Sequence, residues 1–284
     1  MPCLGPVTVA VLSWVIGRLE KGERIAIASV IEAQGSVPGK PGARLAVSSG
    51  GDAFGTVGGA GLELKVELSL REMLSEEDYS RKKGGKIEVF MLHKDGKGKE
   101  VTALDSLCGG RVTVSMEVID PVPHILIAGG GHVGESLGVV CDSLGWKHSV
   151  FDVREEYSNR ERFPDSNEVF SGSVSDFLTT EDRESLTRFS DILLLGHDWS
   201  IDEEMMIGLL QIRNELSRPR IGAIGSKTKW ASFRKAAINS GIPETRVDSV
   251  RCPIGLDIGA DSPEEIAVAV CAEVLSLERG VRSS

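Results

Sequence analysis

The chain has 284 residues, 41% of them hydrophobic and 26% charged, with a formal net charge of −10. That length suits two domains or one large one and holds a core without disulfides or structural metal. The acidity excludes a general nucleic-acid or anionic-membrane binder, and it is uneven: residues 1–120 carry 15 basic and 16 acidic side chains, residues 121–284 carry 17 and 26.

In chain order, apolar residues at Val7, Val11, Trp14, Val15 and Leu19 predict a helix over Pro6–Glu20 with one buried face. The run from Val7 to Gly17 is too short to span a bilayer and no charged segment precedes it, so a soluble, cytoplasmic protein with no membrane role is expected. A strand (Ile25–Ala33), a turn-rich loop, a strand (Ala43–Val47), a Gly-rich loop and a helix from about Gly61 to Leu74 follow. A charged linker (Ser75–Gly85), a strand (Ile87–Leu92), a glycine/lysine loop and a strand (Arg111–Ile119) complete an α+β unit.

Asp120-Pro121-Val122-Pro123 marks a boundary, giving domains at 1–120 and 121–284. The second half alternates strands with helices: His124–Ala128, a helix Gly134–Leu144, Lys147–Val153, Glu168–Phe170, Asp191–Leu195 and Arg220–Ile224. This pattern predicts a Rossmann-like, doubly wound parallel sheet. Ser200 with Glu203, and Ser262 with Glu265 behind Pro263, read as capping boxes; Ile266, Val270, Val274 and Leu277 stripe a terminal helix.

Gly129-Gly130-Gly131-His132-Val133-Gly134 satisfies G-x-G-x-x-G between a strand and a helix, with Asp152 at the end of the next strand. Gly129, Gly131 and Gly134 allow a tight turn and close approach to a diphosphate, Asp152 suits a ribose hydroxyl, and Arg154 a base or phosphate. The alternative is that the glycines serve strand-to-helix packing alone. On the same sheet edge fall Gly196-His197-Asp198, the loop Gly225-Ser226-Lys227-Thr228-Lys229, and Pro253–Gly259 with Asp257. His197 is either an acid/base group or an ordinary hydrogen-bonded histidine.

In the first half, Gly35–Arg44 brackets Lys40 with two Pro-Gly turns, so Ser36, Lys40 and Arg44 suit an anionic group, or the segment is a plain hairpin loop. Gly55–Gly61, including Gly58 and Gly59, puts bare backbone at a helix start. Cys108-Gly109-Gly110-Arg111 offers a thiol on an open turn; the other cysteines read as a loose terminal thiol (Cys3), core (Cys141, Cys271) and core or loop filler (Cys252). Five scattered cysteines without a C-x-x-C spacing fit a reducing compartment.

These motifs together resemble the XdhC/CoxI family of accessory proteins for molybdenum hydroxylases such as xanthine dehydrogenase. The resemblance rests on GSVPGKPGARLAV (35–47), GTVGGAGLE (55–63), CGG (108–110), ILIAGGGHVG (125–134), FDVREEYSNRERFP (151–164), IGAIGSKTK (221–229) and PIGLDIGADSPEEIAVAV (253–270). It implies a chaperone without turnover of its own that binds the molybdenum cofactor (molybdopterin), supports its sulfuration with a cysteine desulfurase, and delivers it to a xanthine dehydrogenase-like hydroxylase. It implies Cys108 as a sulfur or molybdenum contact, and the glycine loops with Lys40 and Arg44 as a cradle; the cofactor is expected between those loops and the sheet's carboxyl edge. A homodimer suits the task. Three positions depart from the family pattern: Gly196 where Thr is common, Trp199 where a second histidine often stands, and Cys252 in place of a small residue. The competing readings are an NAD(P)-dependent oxidoreductase built on Asp152, and an adaptor indifferent to cofactor.

Overall fold

The computed structural model describes residues 5–75, 85–92, 101–103, 110–212 and 218–281. The chain divides at Pro121/Val122 into two compact units.

The first unit is a six-stranded sheet in the order β3-β2-β1-β6-β4-β5, formed by β1 (Ile25–Gly35), β2 (Arg44–Ser48), β3 (Ala53–Thr56), β4 (Lys86–Met91), β5 (Val101–Ala103) and β6 (Gly110–Ile119). Among the described residues of this sheet, the β4–β5 pair is parallel and the other pairs are antiparallel. The central strand is apolar on both faces, and the period of two sorts its side chains. Ala26, Ala28 and Val30 pack with Leu62, Val66 and Leu70 of α2 (Ala60–Ser75). Ile25 and Ile27 pack with Val11 and Val15 of α1 (Gly5–Glu20) on the other face. A register shift between Val30 and Glu32 leaves Ile31 half exposed, and beyond it Gly35 pairs with Gly110. Two short strands lie where the sequence predicts loops: β3 in the glycine-rich stretch and β5 in the glycine/lysine stretch.

The second unit is a five-stranded parallel sheet in the order β11-β10-β7-β8-β9, from β7 (His124–Ala128), β8 (Lys147–Asp152), β9 (Val169–Ser171), β10 (Asp191–Leu194) and β11 (Arg220–Ala223). All five residues of β7 are buried. Ile125 and Ile127 face Leu137 of α3 (His132–Leu144) and Val270 of α9 (Pro263–Glu278). Leu126 and Ala128 face the layer of α4 (Val174–Thr180), α6 (Trp199–Ile212) and α7 (Lys227–Asn239). Cys141 and Cys271 are buried in the α3–α9 layer, as core residues. The fully buried Asp191 pairs with Arg220 and Arg251 at 2.6 Å each and joins β10, β11 and the segment leading to α9. Strand order reverses between β7 and β10, so their carboxyl ends flank the crevice where ligands of such sheets lie.

The Ser262–Glu265 capping box with Pro263 opens α9. At α6 the expectation is corrected: the helix starts at Trp199 and Asp198 caps it, its Oδ1 accepting from the Ser200 amide at 2.9 Å and the Ser200 hydroxyl at 2.7 Å. Ser200 therefore lies inside the first turn. No described helix is long and apolar enough to cross a membrane.

Candidate functional site

In the second unit the site begins where β7 ends. Gly129 adopts φ +124°, and a Cβ there would lie 2.5 Å from the Leu195 carbonyl carbon of the neighbouring strand end. A Cβ at Gly134 would lie 2.2 Å from the Gly129 oxygen. Glycine is thus required at both points for close backbone approach. Gly131, the N-cap of α3, has open space at its Cβ position and supplies no side-chain cap. The first amides of α3 therefore have no cap side chain to satisfy them, a setting that favours an anion, and His132 is exposed beside them.

Asp152 ends β8 and is buried. Its Oδ1 accepts from the Arg154 amide at 3.0 Å and Nε at 2.9 Å, and its Oδ2 from the Gly130 amide at 3.0 Å and Arg154 Nη2 at 2.9 Å. Two donors per oxygen fill the acceptor positions of a carboxylate. Burial alone would raise its pKa, but the Arg154 side chain and the two amides outweigh burial and hold it below the ordinary value. Arg154 also lies 3.8 Å from the centre of the Tyr157 ring. Where the sequence reading offers Asp152 to a ribose and Arg154 to a base or phosphate, an Asx-type turn here brings Arg154 back onto Asp152, and both hold the glycine loop. Arg162, absent from the sequence-level candidates, completes this bracket. Its Nε donates to the Gly130 carbonyl at 2.8 Å, while its guanidinium pairs with Glu135.

Between the ends of β7, β8 and β10 lies a narrow crevice lined by Gly129, Phe151, Gly196, His197, Asp202 and Met205 among others. Asp202 is 2% exposed; its Oδ1 accepts from the Gly196 amide at 3.0 Å and its Oδ2 from Lys229 Nζ at 2.9 Å. Burial raises the Asp202 pKa despite the Lys229 ammonium. Sequence reading missed this pair: the signal is one acid at a core position of an otherwise apolar α6 stripe. Lys229 of the GSKTK loop is thereby turned inward, while Lys227 is exposed beside Ser226, whose side chain caps α7. His197 is exposed at the crevice mouth, and Asp257 is exposed in the loop before α9. Cys252 is half-buried at the β11 edge, 4.0 Å from the Gly225 oxygen, and burial pushes its thiol pKa up.

In the first unit three glycine motifs close on one another. A Cβ at Gly39 would lie 2.3 Å from the Val57 oxygen, one at Gly58 2.7 Å from the Gly39 Cα, and one at Gly110 2.4 Å from both the Gln34 oxygen and Val37 Cγ1. Gly58 and Gly59 take φ of +89° and +76°. Ser36 and Lys40 are exposed on this cluster. Thr56 Oγ1 accepts from the Gly58 amide at 3.0 Å and donates to Glu63 in the first turn of α2. Arg44 departs from expectation: its Nη1 donates to Thr8 Oγ1 of α1 and to the Gly42 carbonyl, each at 3.2 Å, because residue 44 opens β2 on the α1 side. Cys108 and Cys3 lie outside the described residues.

The XdhC Rossmann domain profile matches residues 125–274, and the profile of the XdhC and CoxI family matches residues 18–81. The chain belongs to the XdhC family. Among curated relatives of this XdhC chain, the uncharacterized protein YqeB of Escherichia coli K12 is 28% identical over 258 residues, covering 89% of this chain and 43% of its own length. A probable xanthine dehydrogenase subunit of Bacillus subtilis 168 is 26% identical, covering 57% of this chain and 45% of its own. The chain thus spans less than half the length of these relatives. A crystal structure of a xanthine dehydrogenase from Bacillus halodurans aligns over 97% of both chains, with 19% identity and a TM-score of 0.48. The two XdhC matches divide between the units: 18–81 holds the first unit's loops around Gly39 and Gly58, and 125–274 the fingerprint loop, the crevice and most of α9.

Proposed function

We propose that this XdhC chain is an accessory protein of xanthine dehydrogenase-type hydroxylases, binding the molybdenum cofactor as cargo, supporting its sulfuration by a cysteine desulfurase and delivering it to the apo-enzyme. The observation that carries the reading is the closure of three separate glycine motifs, around Gly39, Gly58 and Gly110, into one backbone cluster with Ser36 and Lys40 exposed on it. Such a cluster suits a phosphorylated pterin: amides and an ammonium for the phosphate, with no catalytic machinery needed. The uncapped start of α3 suits a second anionic group. The cargo supplies molybdenum and its exchangeable oxo or sulfido ligand; the chain's residues hold the phosphate and pterin, and Cys108 is assigned the sulfur-side contact. Both the family and the relative named for a xanthine dehydrogenase subunit support the choice of client.

The oxidoreductase reading needs Asp152 to accept from a nucleotide ribose, and its acceptor positions are filled by Gly130 and Arg154. The test of the accessory reading is a transfer assay. Cofactor-loaded protein is mixed with an apo-hydroxylase, and activity is compared with that given by Cys108→Ser. Wild-type protein is expected to restore sulfurated activity and the variant, equally folded, to restore much less; equal transfer by both removes Cys108 from the account, and no transfer by either removes the delivery role.

A further inference from the structure

One surface of the second unit is not absorbed by that reading. Residues 257–265 hold four exposed acidic side chains, Asp257, Asp261, Glu264 and Glu265, and no lysine or arginine, while Glu273 and Glu278 farther along α9 are paired with Arg251, Arg218 and Arg220. Where this stretch turns into α9 there is an open groove of about 360 Å³, lined by Ile258, Gly259, Ala260, Glu264, Glu265 and Val268. Ile258 and Val268 are 59% and 51% exposed, large apolar side chains that the fold leaves in water. Gly259, at φ +75°, lines the groove as bare backbone with nothing within 4 Å of its Cβ position. Glu264 and Asp261 stand exposed on the rim. Glu265 is held ionised below its ordinary pKa by the Asp261 and Ser262 amides that it accepts from.

We propose that this groove docks a basic amphipathic segment of a partner protein. The apolar pair offers anchors for the apolar side of such a segment. The charge selects its sign: the α9 N-terminus contributes only about half a positive charge, which the Asp261, Glu264 and Glu265 carboxylates together exceed. An acidic or neutral segment would bury Ile258 and Val268 equally well but would meet this rim with repulsion or without attraction. The proposal does not rest on cofactor binding, because the groove shares no residue with the glycine cluster, the start of α3 or the crevice.

The probe is a fluorescein-labelled 18-residue leucine/lysine amphipathic helix, with a leucine/glutamate helix as its counterpart, titrated by anisotropy against the full chain. Saturable binding of the lysine peptide is expected, at least about tenfold weaker in Ile258→Ser/Val268→Ser and in Asp261→Lys/Glu264→Lys. A control with the same charge change elsewhere, Glu156→Lys/Glu204→Lys, should stay within about twofold of wild type. Thermal melts establish that each variant is folded. Equal binding by the groove variants, equal binding of the glutamate peptide, or no saturable binding overturns the proposal. So does a dimer on size exclusion that the Ile258→Ser/Val268→Ser variant converts to monomer, since the occupant is then a second copy of this chain.

Discussion

Asp152 Oδ2 accepts the Gly130 amide at 3.0 Å, so the acid of the dinucleotide fingerprint clamps the fingerprint's own loop. Arg154 binds the same carboxylate from the other side and stacks on Tyr157. Asp152→Asn is therefore expected to act on stability: it removes one partner of a buried pair while Arg154, 27% exposed, can turn toward solvent. A loss of about 2–4 kcal/mol in urea unfolding is expected, with NADH affinity unchanged between wild type and variant. A stable variant that has lost tight NADH binding would restore the oxidoreductase reading.

Gly58→Ala should open the first unit's cluster. The new methyl group would meet the Gly39 backbone at 2.7 Å in a left-handed backbone conformation. A stability loss of about 1–3 kcal/mol is expected, together with weaker cofactor retention. Gly61→Ala is the matched control, since nothing lies within 4 Å of its Cβ position. Equal retention by the two variants would separate the cluster from cofactor binding.

Gly196 and Asp202 form a coupled pair. A Cβ at 196 would sit 2.4 Å from Asp202 Oδ1, so glycine fits this position without displacing the acid. Gly196→Ala is expected to cost about 1–3 kcal/mol alone and clearly less in an Asp202→Ala background. A double-mutant cycle in urea should return a coupling of about 0.5–3 kcal/mol; additivity would show that the contact is relieved by a small backbone shift.

His124 gives the pH dependence. Its Nε2 shares a 2.8 Å hydrogen bond with Ser149 Oγ, and burial, reinforced by Arg188, Lys147 and His148, lowers its pKa to about 3 from near 6.5. Between those values the unfolded chain binds a proton that the folded chain does not, so the histidine's contribution to stability is lost as pH falls from about 6.5 toward 3. His124→Gln removes the titration, and its unfolding midpoint should decline less steeply over that window than that of the wild type. Parallel declines would assign the acid sensitivity to other groups, such as the buried His148.

Much of the second unit is legible in the sequence because its strands are continuous apolar runs punctuated by glycines. His124–Ala128 and Asp191–Leu195 leave no other assignment, and Ser262-Pro263 with Glu265 marks the start of α9. What is not legible turns on choices between equivalent groups. Asp198 and Ser200 are both good caps two residues apart, and only the fold shows that Asp198 binds the Ser200 amide and hydroxyl. Asp152 reads as a ribose ligand because sequence spacing does not show that Arg154, two residues on, curls back onto it. Arg44 reads as part of an anion loop because the side of β2 facing α1 is a tertiary fact. β3 escapes notice because its four residues, Ala53–Thr56, include a glycine and lack a buried alternation.

The most direct test of the accessory role is the cargo itself. The chain is expressed in a host that makes molybdenum cofactor, purified, and assayed for molybdenum together with fluorescence of the oxidised pterin. Near-stoichiometric molybdenum and pterin, both reduced in Gly58→Ala, are the expected result. Folded protein carrying neither, from a host shown to be cofactor-replete, would contradict the account.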